Sequence, residues 1–224
     1  MNMHKRVLIT GGARGIGNAI VEKFTKNGYE VIAPTRQILD LSNPGSVETF
    51  VKENRTAGFD IIVNNAGCND INNIENITDD EMNNMIAVNL LSPIRLLRGF
   101  VPYMKEQKYG RIVNIGSIWA VVSKGGRCIY SATKNGIHGV TNTLAVELAP
   151  YNILVNTVCP GFTLTELTKK NNSEEQINEI SKEIPMGRMA QPIEIAEIVY
   201  FLCSEKNTYL TGQKITVDGG YTER

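Results

Sequence analysis

Tyr130 and Lys134 stand four residues apart in the segment Tyr130-Ser131-Ala132-Thr133-Lys134, at the head of a long stretch of helical periodicity. That spacing puts both side chains on one helix face. A phenol with its ordinary pKa of about 10 is a poor base at neutral pH. A neighbouring ammonium favours the phenolate and moves the pKa toward the range where general acid–base catalysis is efficient. Such pairs also arise by chance on helix surfaces, where they do no chemistry. Ser117 lies thirteen residues upstream of Tyr130, at the end of the run Arg111-Ile112-Val113-Asn114-Ile115-Gly116. A serine at the carboxyl end of a parallel strand sits on the edge where open α/β sheets bind ligands. Its hydroxyl would there hold a substrate oxygen beside the phenol. The competing use of Ser117 is to cap the following turn.

A second chemical feature is the run Thr10-Gly11-Gly12-Ala13-Arg14-Gly15-Ile16-Gly17. It follows an apolar run and precedes a helical one. Glycines permit a sharp turn and close approach of backbone to a pyrophosphate, and the helix N-terminus supplies free N–H groups to the anion. The alternative is a glycine-rich turn without a ligand. Placement after an N-terminal buried strand favours a nucleotide. The segment Val31-Ile32-Ala33-Pro34-Thr35-Arg36 ends without the acidic residue that would bind adenosine ribose hydroxyls and select NAD. Arg36 and Arg14 would instead suit a 2′-phosphate, unless both are ordinary solvated surface arginines. NADP(H) is the favoured cofactor, with NAD(H) left open.

The elements that must position these residues alternate along the chain. Strands are predicted at Arg6–Thr10, Glu30–Ala33, Ile61–Asn64, Arg111–Ile115, Leu154–Val158 and Lys214–Val217. Helices are predicted at Ile16–Lys26, Pro44–Asn54, Asp80–Glu106, Tyr130–Ala149, Ser173–Glu183 and Pro192–Ser204. Apolar strands separated by helices imply one doubly wound α/β domain over residues 1–224, its parallel sheet covered on both faces. One interval breaks the pattern. About five residues separate the second strand from Leu39-Asp40-Leu41, too few for a helical crossover. The Leu39 segment is therefore either a short edge strand reached by a tight loop or a rudimentary one, and the sheet is shortened on its adenine side.

Composition narrows the partners. Lys plus Arg and Asp plus Glu both number 23, so the formal charge is zero and no global field steers the chain onto nucleic acid or an anionic membrane. There is no uninterrupted run of about 18 apolar residues, so no membrane span is expected. Cys68, Cys128, Cys159 and Cys203 have neither close pairing nor metal spacing, consistent with reduced thiols in a cytoplasmic protein. His4 and His138 are far apart in sequence, and no metal is expected.

Together these motifs resemble the short-chain dehydrogenase/reductase family over nearly the whole chain. The matching pieces are the glycine turn at 10–17, Asn64-Asn65-Ala66-Gly67, Asn89, Ser117, Tyr130-x-x-x-Lys134 and Pro160-Gly161, in the family's order. The resemblance implies a Rossmann-type fold and hydride transfer between a nicotinamide cofactor and a carbonyl or alcohol carbon. By position, Tyr130 is implied to be the proton donor in reduction. Lys134 is implied to lower its pKa and to bind the nicotinamide ribose. Ser117 would polarise the carbonyl, and Asn89 would hold a water linking Lys134 to solvent. Gly11, Arg14, Gly15, Ile16 and Gly17 would hold phosphate. Asn65, Ala66 and Gly67 would pack beside the adenosine ribose, and Asp40 and Leu41 would contact adenine. Pro160, Gly161, Thr163 and Thr165 would bind the carboxamide. Two departures stand out: the shortened adenine side, and Thr163 where many relatives carry a branched apolar residue.

The resemblance is nearest to 3-oxoacyl carrier-protein reductases, mainly through the tail from Tyr209 to Gly220, which reductases of sugars and small ketones share. The basic residue expected for carrier docking appears as Tyr151, while Lys108 is available for a second docking position. A small-molecule carbonyl, carrier-bound or free, is the expected substrate. The stretch at about 163–190 is similar to the family's substrate lid. Apolar residues on more than one helix face (Met85, Leu90, Leu97, Val101, Val140, Leu144 and Leu148) fit a homodimer or homotetramer, or simply the core. A reductase of a nucleotide sugar or other small ketone is the main alternative, and a non-catalytic NADP(H) sensor is a rival. A sugar epimerase or dehydratase is disfavoured because only about 60 residues follow Gly161.

Overall fold

In the computed structural model, which describes residues 5–223, the β-branched runs form strands β1 (Arg6–Ile9), β2 (Glu30–Ile32), β3 (Ile61–Asn64), β4 (Gly110–Ile115), β5 (Ile153–Pro160) and β6 (Lys214–Val217). They pair in the order β2-β1-β3-β4-β5-β6, with every neighbouring pair parallel. The chain winds outward in one direction from β1 to β2, then in the other from β3 onward. This reversal opens a crevice at the carboxyl ends of β1 and β3, where doubly wound sheets take their ligands.

Helices α1 (Gly15–Lys26), α2 (Pro44–Asn54), α3 (Asp79–Ile86), α4 (Ser92–Gln107), α5 (Cys128–Leu148), α6 (Glu166–Asn171), α7 (Glu174–Lys182) and α8 (Pro192–Cys203) fill the connections. Successive strand residues point to opposite faces of a sheet. On one face Leu8, Ile62, Ile112 and Val155 pack with Phe50 of α2, Leu96 and Phe100 of α4, and Leu148 of α5. On the other, Val7, Ile9, Val63 and Val158 meet Ile20 and Phe24 of α1, with Ile195 and Val199 of α8. Local signals set several helix starts. Asn43 caps α2 ahead of Pro44, and Thr78 with Glu81 forms a reciprocal box at the start of α3.

The helix predicted over 80–106 is interrupted by a π turn at Ala87–Leu91, which holds Asn89. Single π turns of this kind recur at functional sites because they reset the direction of the following side chains. The continuous stretch Asp79–Gln107 meets, by length and composition, the requirement for crossing a membrane. Leu96, Leu97, Phe100 and Met104 of that stretch are nonetheless buried in the core of this fold.

At the adenine-side edge no strand forms at Leu39–Leu41, and β2 is the edge strand. The amides of Ile38 and Leu39 donate back to the Thr35 carbonyl, turning the chain. Leu39 and Leu41 are buried under the edge, and the Ser92 hydroxyl donates to the Leu41 carbonyl at 2.6 Å. The edge is thus closed by two apolar plugs rather than by another strand.

A buried polar chain ties α5 to the centre of the sheet. Asn64 Nδ2 donates to Asn114 Oδ1 at 2.8 Å, and Asn114 Nδ2 donates to Thr141 Oγ1 at 2.9 Å. Thr157 Oγ1 donates to the same Thr141 hydroxyl at 2.8 Å, and that hydroxyl donates to the Ile137 carbonyl at 3.0 Å. One donor and two acceptor sites exhaust a hydroxyl's capacity. Thr141→Val leaves the Asn114 amide without a partner in a dry interior. It is expected to lower unfolding free energy by about 1–3 kcal/mol, measured by urea denaturation. A loss below the error of the method would show that the network is dispensable.

Candidate active site

The glycine turn runs from the end of β1 into α1, where Arg14 occupies the cap position without a side-chain cap. The first N–H groups of α1 therefore face the crevice unsatisfied by a cap. Gly11 has φ +67°, and a Cβ there would lie 2.9 Å from the Ala66 backbone. At Gly17 a Cβ would lie 2.1 Å from the Gly11 carbonyl oxygen, so side chains are barred where helix and turn touch. Asn65 Nδ2 donates to the Thr10 and Gly11 carbonyls, and the Asn65 and Ala66 amides donate to Thr10 Oγ1. Asn65 thus braces the turn from behind.

Beside this turn lies a cleft of about 370 Å³, lined by Gly11, Arg14, Arg36, Asp40, Leu41, Ala66 and Gly67 among others. Arg36 is exposed and makes an i,i+4 ion pair with Asp40, Nε to Oδ2 at 3.4 Å. The Ser42 hydroxyl and amide donate to Asp40 Oδ1 at 2.6 and 2.9 Å. These bonds, more than the Arg36 charge, hold the Asp40 carboxyl below its ordinary range. Asp40 is therefore spent on local hydrogen bonds that shape the wall of the cleft.

A second cleft, of about 740 Å³, continues from the first across Gly11, Arg14, Ala66, Gly67 and Cys68. It is walled by Gly15, Ile16, Gly17, Asn65, Ser117, Tyr130, Lys134, Pro160, Gly161, Thr163 and Thr165. The paired clefts, shared glycine turn and uncapped helix start form an elongated groove that fits a dinucleotide. Ser117, Tyr130 and Lys134 meet in it as the spacing predicts.

Ser117 ends the β4 connection, and its Oγ accepts from the Trp119 amide at 3.2 Å. The capping use weighed for it is thus real and coexists with its place in the cleft. Lys134 is 4% exposed, and its ammonium donates to the Ile115 carbonyl at 2.8 Å. Burial pushes its pKa down to about 8. Its Nζ stands 5.6 Å from the Tyr130 ring centroid.

The expectation that Lys134 acidifies Tyr130 needs correction for the chain by itself. Burial raises the Tyr130 pKa above the ordinary phenol value, opposed by the Ser117 hydrogen bond and the Arg127 charge. Desolvation outweighs both, and the Lys134 ammonium is directed into a backbone carbonyl rather than at the phenol. Tyr130 therefore keeps its proton at neutral pH.

Asn89 is buried behind the cleft. Its Oδ1 accepts from the Cys68 amide at 2.9 Å, while Nδ2 donates to the Cys68 carbonyl at 2.9 Å and to Thr133 Oγ1 at 3.2 Å. The side chain thus fastens the Gly67–Cys68 turn onto α5. Sequence reasoning passed over Trp119, Arg127 and Phe162, which line the catalytic cleft. Only the spacing of Arg127, one turn before Tyr130, offered a signal.

Lys134 makes stability depend on pH. Between about 8 and its ordinary 10.5, the unfolded chain binds a proton that the folded chain does not, so this group makes stability rise with pH. Below that window it imposes a constant penalty. Lys134→Met removes the effect, so unfolding measured across the window should show a wild-type gain over the variant on the order of 3 kcal/mol. Parallel pH curves would contradict a strained ammonium.

Comparison with known proteins agrees with this fold. A family model described as "Enoyl-(Acyl carrier protein) reductase" matches residues 35–222. The 3-oxoacyl-[acyl-carrier-protein] reductase FabG of Vibrio cholerae is 34% identical, with 98% of each chain covered. The solved structure titled "ElxO with NADP Bound" has a TM-score of 0.91 at 31% identity, covering 99% of this chain and 100% of its own. The ligand-free aldohexose dehydrogenase of Thermoplasma acidophilum has a TM-score of 0.93 at 30% identity, with 99% and 95% covered. The chain belongs to the short-chain dehydrogenase/reductase family.

Proposed function

We propose that this chain is an NADP(H)-dependent oxidoreductase of one domain that interconverts a carbonyl and a secondary alcohol. The observation that carries this is the meeting of Ser117, Tyr130 and Lys134 in one cleft, continuous with the glycine turn. When bound, the reduced nicotinamide supplies the hydride that the carbonyl carbon accepts. The N-terminus of α1 holds the pyrophosphate, and Arg14 with Arg36 takes the 2′-phosphate. Arg36 then exchanges its exposed ion pair with Asp40 for a more highly charged partner. Pro160, Gly161, Thr163 and Thr165 bind the carboxamide, and Lys134 binds the nicotinamide ribose.

Ser117 and Tyr130 hold the substrate oxygen. The Tyr130 proton passes to that oxygen as the carbon is reduced, and a solvent proton restores it. A phenol that carries its proton at neutral pH has that proton to give in this direction.

A 3-oxoacyl group on a carrier protein is the substrate class that the relatives favour. Lys108, offered for carrier docking, lies at the amino end of β4, about 20 Å along that strand from the Ser117 edge. A carrier seated there faces away from this chain's own cleft and would serve a second copy. Met85, Leu97 and Leu148 are buried within one chain, while Leu91, Ile94 and Val146 remain exposed on α4, α5 and the π turn. Those outward residues support a homodimer or homotetramer. Unpaired cysteines fit a cytoplasmic setting. The lid begins and ends at one seam, where Thr163 bridges Ala190, and Thr165 packs against Gly15. A small polar ketone or sugar is the second substrate reading, favoured by the arginine on the catalytic cleft.

Tyr130→Phe is expected to cut turnover at least 100-fold, the scale of a lost general acid. NADPH binding should stay within a few-fold of wild type. Unchanged turnover would refute the assignment, and a wild type that binds NADPH but reduces nothing in a broad carbonyl panel would point to a sensor. Replacing Arg14 and Arg36 together by Ser should lower the NADPH-over-NADH preference about 10- to 100-fold. An unaltered preference would remove both from 2′-phosphate recognition.

A further inference from the structure

We infer that Arg127 receives a carboxylate of the substrate, so that the cleft takes an oxo acid and returns the hydroxy acid. The inference rests on the proposed carbonyl reduction at Tyr130 and specifies its substrate as a free oxo acid, in place of the carrier-bound 3-oxoacyl group, whose thioester has no carboxylate. Arg127 occupies the cap position of α5, three residues before Tyr130, and lines the same cleft. Side chains three apart at a helix start are neighbours on one face. An anion held there lies only a few bonds from the reacting carbon.

Among the described residues the guanidinium has no hydrogen-bond acceptor or carboxylate partner. Its Nε is buried without a hydrogen bond, and Arg127 forms no ion pair among the described residues. Glu166 is the carboxylate among the described lining residues, and it does not pair with Arg127. An arginine cannot shed its charge. A half-buried guanidinium left unpaired is costly, and a planar carboxylate matching its donor fork relieves that cost.

The surroundings hold it ready. Its Cζ stands 5.0 Å from the Trp119 ring centroid, a cation–π contact that fixes the group while leaving donors free. Trp119 is wedged edge-to-face against Phe162 and Tyr221, with centroids at 6.1 and 6.2 Å. Lys124 Nζ, 5.7 Å from the same ring, adds a second positive charge. The other cations of the cleft have separate tasks, Arg14 at the phosphate end and Lys134 at the Ile115 carbonyl. One fork with one distant lysine matches a monoanion such as carboxylate.

The test compares NADPH oxidation with 2-oxo and 3-oxo acids against their methyl esters. Wild type should prefer the acids at least tenfold in kcat/KM. Arg127→Gln should reduce the acid-to-ester ratio about 10- to 100-fold, chiefly through KM, with Arg127→Lys between them. Esters used as well as acids by the wild type, an unchanged ratio in R127Q, or a preference for phosphorylated ketones would each overturn the inference. A second readout is independent of turnover. Trp119 is the single tryptophan, so its emission should shift saturably when acetoacetate is added to the Y130F enzyme with NADP⁺. That shift should vanish in R127Q carrying the same Tyr130 change. A shift together with undiminished Y130F turnover would sink the catalytic reading alone, whereas loss of turnover without any shift would sink the carboxylate site alone.

Discussion

The Lys134 ammonium directed into the Ile115 carbonyl fixes how α5 sits on the sheet, and the catalytic face of that helix depends on it. A lysine with almost no exposure and, among the described residues, no carboxylate partner is an expensive thing to bury. Its single strong bond ends on the last residue of β4, two before Ser117. Two turns further along α5, Thr141 closes the buried chain through Asn114 and Asn64. Helix and strand end are thereby locked at two points, and Ser117 and Tyr130 cannot drift apart independently.

Desolvation governs the reacting groups in both directions. It pushes the Lys134 pKa down and the Tyr130 pKa up, because burial penalises whichever form carries charge. The site thus holds a neutral phenol beside a strained ammonium. On the far side of the groove, positions where a side chain would collide keep the turn open to phosphate. The glycine turn and the Ser117–Tyr130–Lys134 cluster therefore lie on separate parts of the sheet edge, joined by Ala66–Cys68 and by Asn89 behind them.

Much of this was legible in the sequence, for physical reasons. β-branched runs between amphipathic stretches specified the parallel sheet, since a strand buried on both faces has no alternation to hide. Ser117, Tyr130 and Lys134 were readable because helix pitch and strand ends are rigid rulers. The short interval before Leu39 correctly excluded a crossover helix, but not the outcome in which two leucines plug the edge. What spacing could not give was direction. The Lys134 ammonium and the Asn89 amide have several partners within reach, and only packing decides among them. The same holds for Arg127, whose spacing from Tyr130 is legible but whose place over the Trp119 ring is set by packing.

The central claim is that Tyr130, protonated at neutral pH, delivers the proton during reduction. The pH dependence of the single-turnover rate of NADPH oxidation by wild type and Y130F tests it most directly. A wild-type rate that is flat through neutral pH and falls only in the alkaline range, with no such fall in the residual rate of Y130F, is the predicted result. A wild-type rate that already falls near pH 7, or an identical alkaline fall in both proteins, would contradict it.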